Sequence, residues 1–209
     1  MSKRDLIIIG AGGHAGVVVD TAQESGYNVL GIIDTDYKDQ KEDILGVEIL
    51  GGRDYLDNLD ANSTLIFVAI GNNHVRREEY LNLTKMGFSS PTLVHPSAMV
   101  SRHVEIAAGT LINSGVVINA GTCIGECCII NTGAVLDHEV NIGDYTHIAP
   151  GVKIGGRSGI GTGAFIGLGT SIIDFISIGD NAMIGAGSTI VKDVNADAKV
   201  VGIGRIIGK

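Results

Sequence analysis

IGDYTHIAPGVKIGGRSGI, residues 142–160, carries an aliphatic side chain at every sixth position: Ile142, Ile148, Ile154 and Ile160. Followed outward both ways, the same step runs from Val94 to Ile190 without a slip, and all seventeen positions are Ile, Leu or Val. Four residues after each stands Ala, Ser, Thr, Cys or Val, as at Ala98, Thr110, Cys128, Ala134, Ser158 and Ala182, with Ile176 the bulky exception. The position directly after the aliphatic is mostly Gly, Asn, Asp, Ala or Ser; Gly125, Gly143, Gly155, Gly161, Gly167, Gly179 and Gly185 are examples.

A step of six fits neither the 3.6 residues of a helical turn nor the 3.5 of a coiled coil, and dense glycine would weaken any helix. One large and one small inward side chain per unit fill a narrow three-sided coil. Gly and Asn at its corners supply the left-handed backbone that a tight turn needs. This is the hexapeptide repeat of a parallel β-helix. The unbroken register matters, because a one-residue slip would turn the Ile ladder outward. At three units per turn and a strand spacing of ~4.8 Å, the column stands roughly 27 Å tall. Three-sided columns pack side by side, and a homotrimer is the expected assembly.

Composition agrees with many short strands and tight corners. Of 209 residues 31 are Gly and 3 are Pro, with four Phe, five Tyr and no Trp. A net charge of −8 without a basic stripe argues against a nucleic-acid partner. No apolar run reaches the ~18–20 residues of a membrane span, and the N-terminal run is too short for a signal-peptide core. Cys123, Cys127 and Cys128 lack zinc-site spacing, so no metal is expected and reduced thiols in a cytoplasmic protein are.

The first ninety residues follow another pattern. Strands are expected over 6–10, 28–33 and 65–70, helices over 14–25 and 74–86, with Gly26 and Gly87 as their stops. Residues 47–50 add an edge strand, and 92–96 form a hinge. Alternating strands and helices of this size imply a small Rossmann-like parallel sheet. The chain then divides into an α/β domain over 1–92 and an all-β column with a C-terminal tail over 93–209. Between the first strand and helix lies GAGGHAG, 10–16, in which Gly10, Gly12 and Ala15 match a dinucleotide fingerprint, with Asp34 at the distance of a ribose-binding acid. Ninety residues make only about half of a dinucleotide-binding sheet, and no hydride-transfer domain follows. The same mechanics suit a nucleotide-sugar: N–H groups at a helix start attract phosphate, and the acid binds a ribose or base edge.

With that loop, IleGlyAsnAsn at 70–73 and the block NTGAVLDHEVNIGDYTHIAPG at 131–151, the chain resembles the PglD/NeuD-like sugar acyltransferases. The resemblance covers essentially the whole chain. It implies a left-handed column that binds acetyl-coenzyme A at a subunit interface, and an N-terminal domain that binds the acceptor. It further implies acetyl transfer to the amino group of a UDP-linked amino-dideoxy sugar, with O-acetylation of sialic acid as the alternative. By the same resemblance His138 is the general base and Glu139 its partner. Histidine suits that task because its unperturbed pKa of about 6.5 lies near the working pH. His147 is expected to bind the acetyl carbonyl or the coenzyme, or else to be an ordinary interface histidine. N–H groups at Gly155, Gly156 and Gly167 are candidates to hold the developing oxyanion. Gly12, Gly13, His14, Asp34 and Asn72 outline the acceptor pocket; His14 reads equally as a first-turn helix residue. The tail at 202–207, GIGRII, lacks the Pro and Lys usual in the family. A nucleotide-binding scaffold with a merely trimerising column is the non-catalytic reading, and a dehydrogenase stands third.

Overall fold

The structure, a computed structural model, describes residues 4–35, 43–202 and 205–208. Strands β1 (Arg4–Ile9), β2 (Tyr27–Ile33), β3 (Asp43–Ile44), β4 (Val47–Gly51) and β5 (Leu65–Val68) form a sheet of order β3-β4-β2-β1-β5. Pairing is parallel except for the β3–β4 hairpin, so the expected all-parallel sheet is mixed. The strand expected at the edge is β4, and β3 covers it. A 3-10 turn at Arg53–Asn58 had no clear sequence signal.

Alternation along β1 divides the core between two faces. Leu6 and Ile8 pack with Val18, Val19 and Ala22 of helix α1 (Ala15–Glu24). Ile7 and Ile9 pack with Tyr80 and Leu83 of helix α2 (Asn73–Lys85). Both faces also receive the column: Leu93, Leu111 and Ile129 join the first core, Cys127 and Tyr145 the second. Residues 92–96 are therefore no hinge. Leu93–Val94 is already the first rung, paired with Leu111–Ile112, and Leu93 is fully buried.

Among the described residues the column has seventeen two-residue strands, from Leu93–Val94 to Thr189–Ile190, one per sequence unit. Each of the first fourteen pairs in parallel with the strand eighteen residues on, as Ile130 with Ile148 and Ile148 with Ile166, which builds three flat faces. The second residue of each strand points inward. From Ile112 to Ile190 these residues form one continuous apolar core with the small fifth-position residues.

Glycine does two jobs here, and only one of them is at the left-handed corners where the sequence places it. From Ile106 to Ile184, the fourth residue of every unit has φ between 51° and 78°. The glycines directly after the aliphatics are not in that region; they are small because the next coil lies against them. A Cβ on Gly143 would stand 2.6 Å from the backbone nitrogen of Thr162. The period ends at Ile190: Ile178 then pairs with Val194 and Ile184 with Val200, sixteen residues on rather than eighteen. In the tail, Arg205–Gly208 pairs antiparallel with Lys199–Val201, while Ile203 and Gly204 lie outside the described residues.

Candidate active site

His138 and Glu139 follow the inward Leu136 at one corner of the column. Glu139 occupies the left-handed position, φ 58°, and this turn brings its side chain back beside its neighbour. Its Oε2 lies 3.0 Å from His138 Nδ1 and accepts from Arg157 Nε at 2.8 Å. The backbone N–H of His138 donates to Asp137 Oδ1 at 2.8 Å, which Asn119 Nδ2 also reaches at 2.9 Å. Hydrogen bonds from Arg157 and then from His138 hold the Glu139 carboxyl below its usual range. A carboxylate at Nδ1 makes that nitrogen the N–H donor and leaves Nε2 with its lone pair. The ring lies over Gly156: a Cβ there would come 2.7 Å from both Cε1 and Nε2. Side chains at 138, 139 and 157 remain about half exposed.

His147 lies elsewhere. Its strand belongs to the face that carries the N-terminal sheet, and the His138 corner joins the other two faces, so it is the vertex opposite. His147 Nδ1 approaches the Gly71 carbonyl at 3.4 Å and its Nε2 lies 3.3 Å from Asn131 Nδ2. Its ring meets Phe165 edge-on at 5.2 Å and stands 6.4 Å from that of His14. Burial, reinforced by Arg76, lowers both histidines to about 4, so both are neutral near pH 7. His14 Nε2 is buried without a hydrogen-bond partner.

Arg76 was not legible in the sequence. It is 1% exposed and donates to the carbonyls of Cys127, Tyr145, Ile70 and Gly71 and to Asn73 Oδ1, at 2.8–3.2 Å. Asn73 Nδ2 donates to the Gly163 and Ala164 carbonyls. Residues 127, 145 and 163 are the left-handed corners of three successive coils, so the first turn of α2 is fastened to a stack of corner carbonyls. Asn72 instead caps α2, its Oδ1 accepting from the N–H groups of His74 and Val75. Asp34 Oδ2 accepts from Ala11 N at 2.6 Å and ties the glycine loop to the end of β2. At Gly12 and Gly13 an added Cβ would meet nothing within 4 Å, so a ligand can approach the backbone there.

The expected oxyanion donors need correction. The N–H groups of Gly155 and Gly167 bond the Ile172 and Ile184 carbonyls in the strand ladder, and that of Gly156 bonds Asp174 Oδ1 at 2.8 Å. They are spent on the column. Burial pushes the Cys127 and Cys128 thiols up to about 12, which makes them poor nucleophiles. Among the described residues no His, Cys, Asp and Glu side chains gather in threes to hold a metal, and no helix is long and apolar enough to cross a membrane.

Residues 5–83 match the model of the PglD N-terminal domain. Perosamine N-acetyltransferase from Caulobacter crescentus, solved as a histidine-to-asparagine variant with CoA and GDP-perosamine, is 35% identical over 98% of this chain and 97% of its own, with a TM-score of 0.93. The acetyltransferase domain of PglB from Neisseria gonorrhoeae, solved with acetyl coenzyme A, is 32% identical over 98% of this chain and 100% of its own, TM-score 0.91. WeeI from Acinetobacter baumannii is 26% identical over 98% and 100%, TM-score 0.75.

Proposed function

We propose the activity of this chain from one premise: it belongs to the PglD-type family of hexapeptide-repeat sugar N-acetyltransferases. The reading is acetyl transfer from acetyl-CoA to the amino group of a nucleotide-linked amino-dideoxy sugar. The observation that carries it is the half-exposed His138 imidazole, held at Nδ1 by Glu139 with Nε2 over Gly156.

His138 Nε2 takes the proton as the amine nitrogen bonds to the thioester carbonyl carbon. The C–S bond then breaks, and the proton passes from His138 to the departing thiolate. Glu139 keeps the ring in the required tautomer and stabilises its protonated form. Holding amine and thioester together supplies much of the rate. No covalent enzyme intermediate is needed, in keeping with the buried, unactivated Cys127 and Cys128.

Acceptor binding falls to residues 1–92, a Rossmann-like half-sheet, through Gly12, Gly13, His14, Asp34 and Asn72. Donor binding falls to the left-handed column over 93–209, with His147 as its candidate contact. Within one chain His138 stands at the vertex opposite the His14–His147 face, so a complete site takes its base from one protomer and its acceptor loop from the next. A cyclic homotrimer of three-sided columns meets that need. Exposed Met99, Ile173, Phe175 and Val191, on the faces and corner beside His138, supply apolar surface for such a seam. A cytoplasmic setting fits an acetyl-CoA-dependent enzyme with three unpaired cysteines. The resemblance favours a UDP-linked acceptor, whereas the perosamine enzyme was solved with a GDP-linked one; both belong in the assay.

Purified protein should release free CoA from acetyl-CoA only when a UDP- or GDP-linked amino sugar is present. His138→Ala should lower turnover by about 10²–10⁴ while light scattering still reports a trimer. Undiminished turnover in that variant would overturn the reading.

A further inference from the structure

Three vertical rows of left-handed residues line the corners of the column, and they differ in what they carry. The row at 115, 133, 151, 169 and 187 is glycine throughout. The row under α2 holds Cys127 and Tyr145, whose side chains pack into the core shared with the N-terminal sheet. The third row contains Glu139, Arg157 and Phe175 on three successive coils, at φ 58°, 59° and 60°. Left-handed backbone costs a non-glycine residue roughly 1–2 kcal/mol, and backbone strain of this kind concentrates at functional positions.

These three side chains form one stack. Arg157 Nε donates to Glu139 Oε2 at 2.8 Å, and the guanidinium lies 5.7 Å from the centroid of the Phe175 ring. The coil before leaves room: a Cβ on Gly121 would stand 3.1 Å from Glu139 Cγ. The oxygen that takes Arg157 is the same Oε2 that faces His138 Nδ1.

We propose that Arg157 is a positioning residue for acetyl transfer: by gripping Glu139 Oε2 from the next coil, it fixes the carboxylate that orients His138. The proposal rests on the reading of His138 as the base. Without Arg157 the carboxylate can swing about its left-handed Cα, and His138 loses the partner that selects its tautomer. Arg157 is also a counter-charge. Glu139 meets the imidazole from its own corner, Asp137 accepts from the His138 backbone N–H, and Asp174 holds the Gly156 N–H beneath the ring. The preceding coil brings neutral Asn119 and Gly121, and beyond them lie Arg102 and His103. Arg157 is the cation hydrogen-bonded within this acid-rich group. Exposed ion pairs add little to stability, so the effect belongs to the reaction and not to the fold.

Arg157→Met should melt with the native protein and lose about tenfold in kcat/KM. The loss should fall on kcat with KM unchanged, because Arg157 acts through Glu139 on His138. Arg157→Lys should recover only part of the rate, because an ammonium lacks the fixed fork of a guanidinium. In a Glu139→Gln background, Arg157→Met should cost nothing further. Equal losses in both backgrounds, or a loss confined to KM, would remove the positioning role. If His138→Ala is inactive while Arg157→Met behaves as native, only this proposal falls; if His138→Ala is active, the assignment of the base falls first.

Discussion

Gly156→Ala separates the placement of the His138 ring from the integrity of the column. The backbone at 156 lies outside the left-handed region, and its N–H bond to Asp174 does not depend on the side chain. Alanine is therefore allowed there, and the smaller freedom of the unfolded chain adds up to about 0.4–1 kcal/mol of stability. The new methyl would sit 2.7 Å from His138 Cε1 and Nε2. Ordinary carbon contacts lie near 3.5–4.0 Å, so the half-exposed ring must retreat by about 1 Å. A displacement of that size costs about 10²-fold in turnover when the moved group handles the reacting proton. Thiol release from acetyl-CoA, followed with a chromogenic disulfide, should drop about 10²-fold while the thermal midpoint holds or rises slightly. Gly143→Ala is the contrasting control. Its methyl would stand 2.6 Å from Thr162 N and 2.8 Å from Gly161 C, backbone atoms that cannot swing aside, and stability should fall by about 1–3 kcal/mol or more. Native turnover in a well-folded Gly156→Ala protein would refute the claim that the ring works from its place over residue 156.

Acid should loosen the seam between the sheet and the column. His14 and His147 are lowered to about 4 in the folded protein against 6.5 when free, first by burial and then by Arg76. Between those values the unfolded chain binds protons that the folded one refuses, so their contribution is full above pH 6.5 and is lost as pH falls towards 4. This amounts to about 3 kcal/mol per independent histidine, and urea midpoints at pH 7 and 4.5 should converge in a His14→Asn/His147→Asn double variant. Arg76→Met leaves four carbonyls without their donor and should cost about 3–5 kcal/mol in urea unfolding; a loss below 1 kcal/mol would show that water replaces the guanidinium. A thiol reagent at pH 8 should modify Cys123 alone in the native protein and all three cysteines in denaturant, because burial pushes Cys127 and Cys128 up to about 12.

The column was legible because its energy is periodic: every inward position meets the same environment eighteen residues later, so Ile, Leu or Val recurs without exception. The direction of its turns was harder to read. Glycine serves both where φ is positive and where the next coil leaves no room for a Cβ, and the alphabet does not separate the two. Most left-handed positions under α2 and beside His138 hold Cys, Tyr, Glu, Arg, Phe or Asn, which hides the row from a search for glycine. His138 and Glu139 are adjacent in the chain and could be read together. Arg157 is adjacent only in the coil, yet the period already gives its address, eighteen residues after Glu139. Arg76 and the His14–His147 approach follow a different logic. They arise where α2 and the glycine loop meet one face of the column, and no local pattern encodes which face that is. The glycine loop shows the same limit, since its dinucleotide-like spacing is real but Asp34 turns back to Ala11 N. A periodic fold thus exposes the half of the site built along its own axis, while the half made by docking a second element becomes visible only in three dimensions.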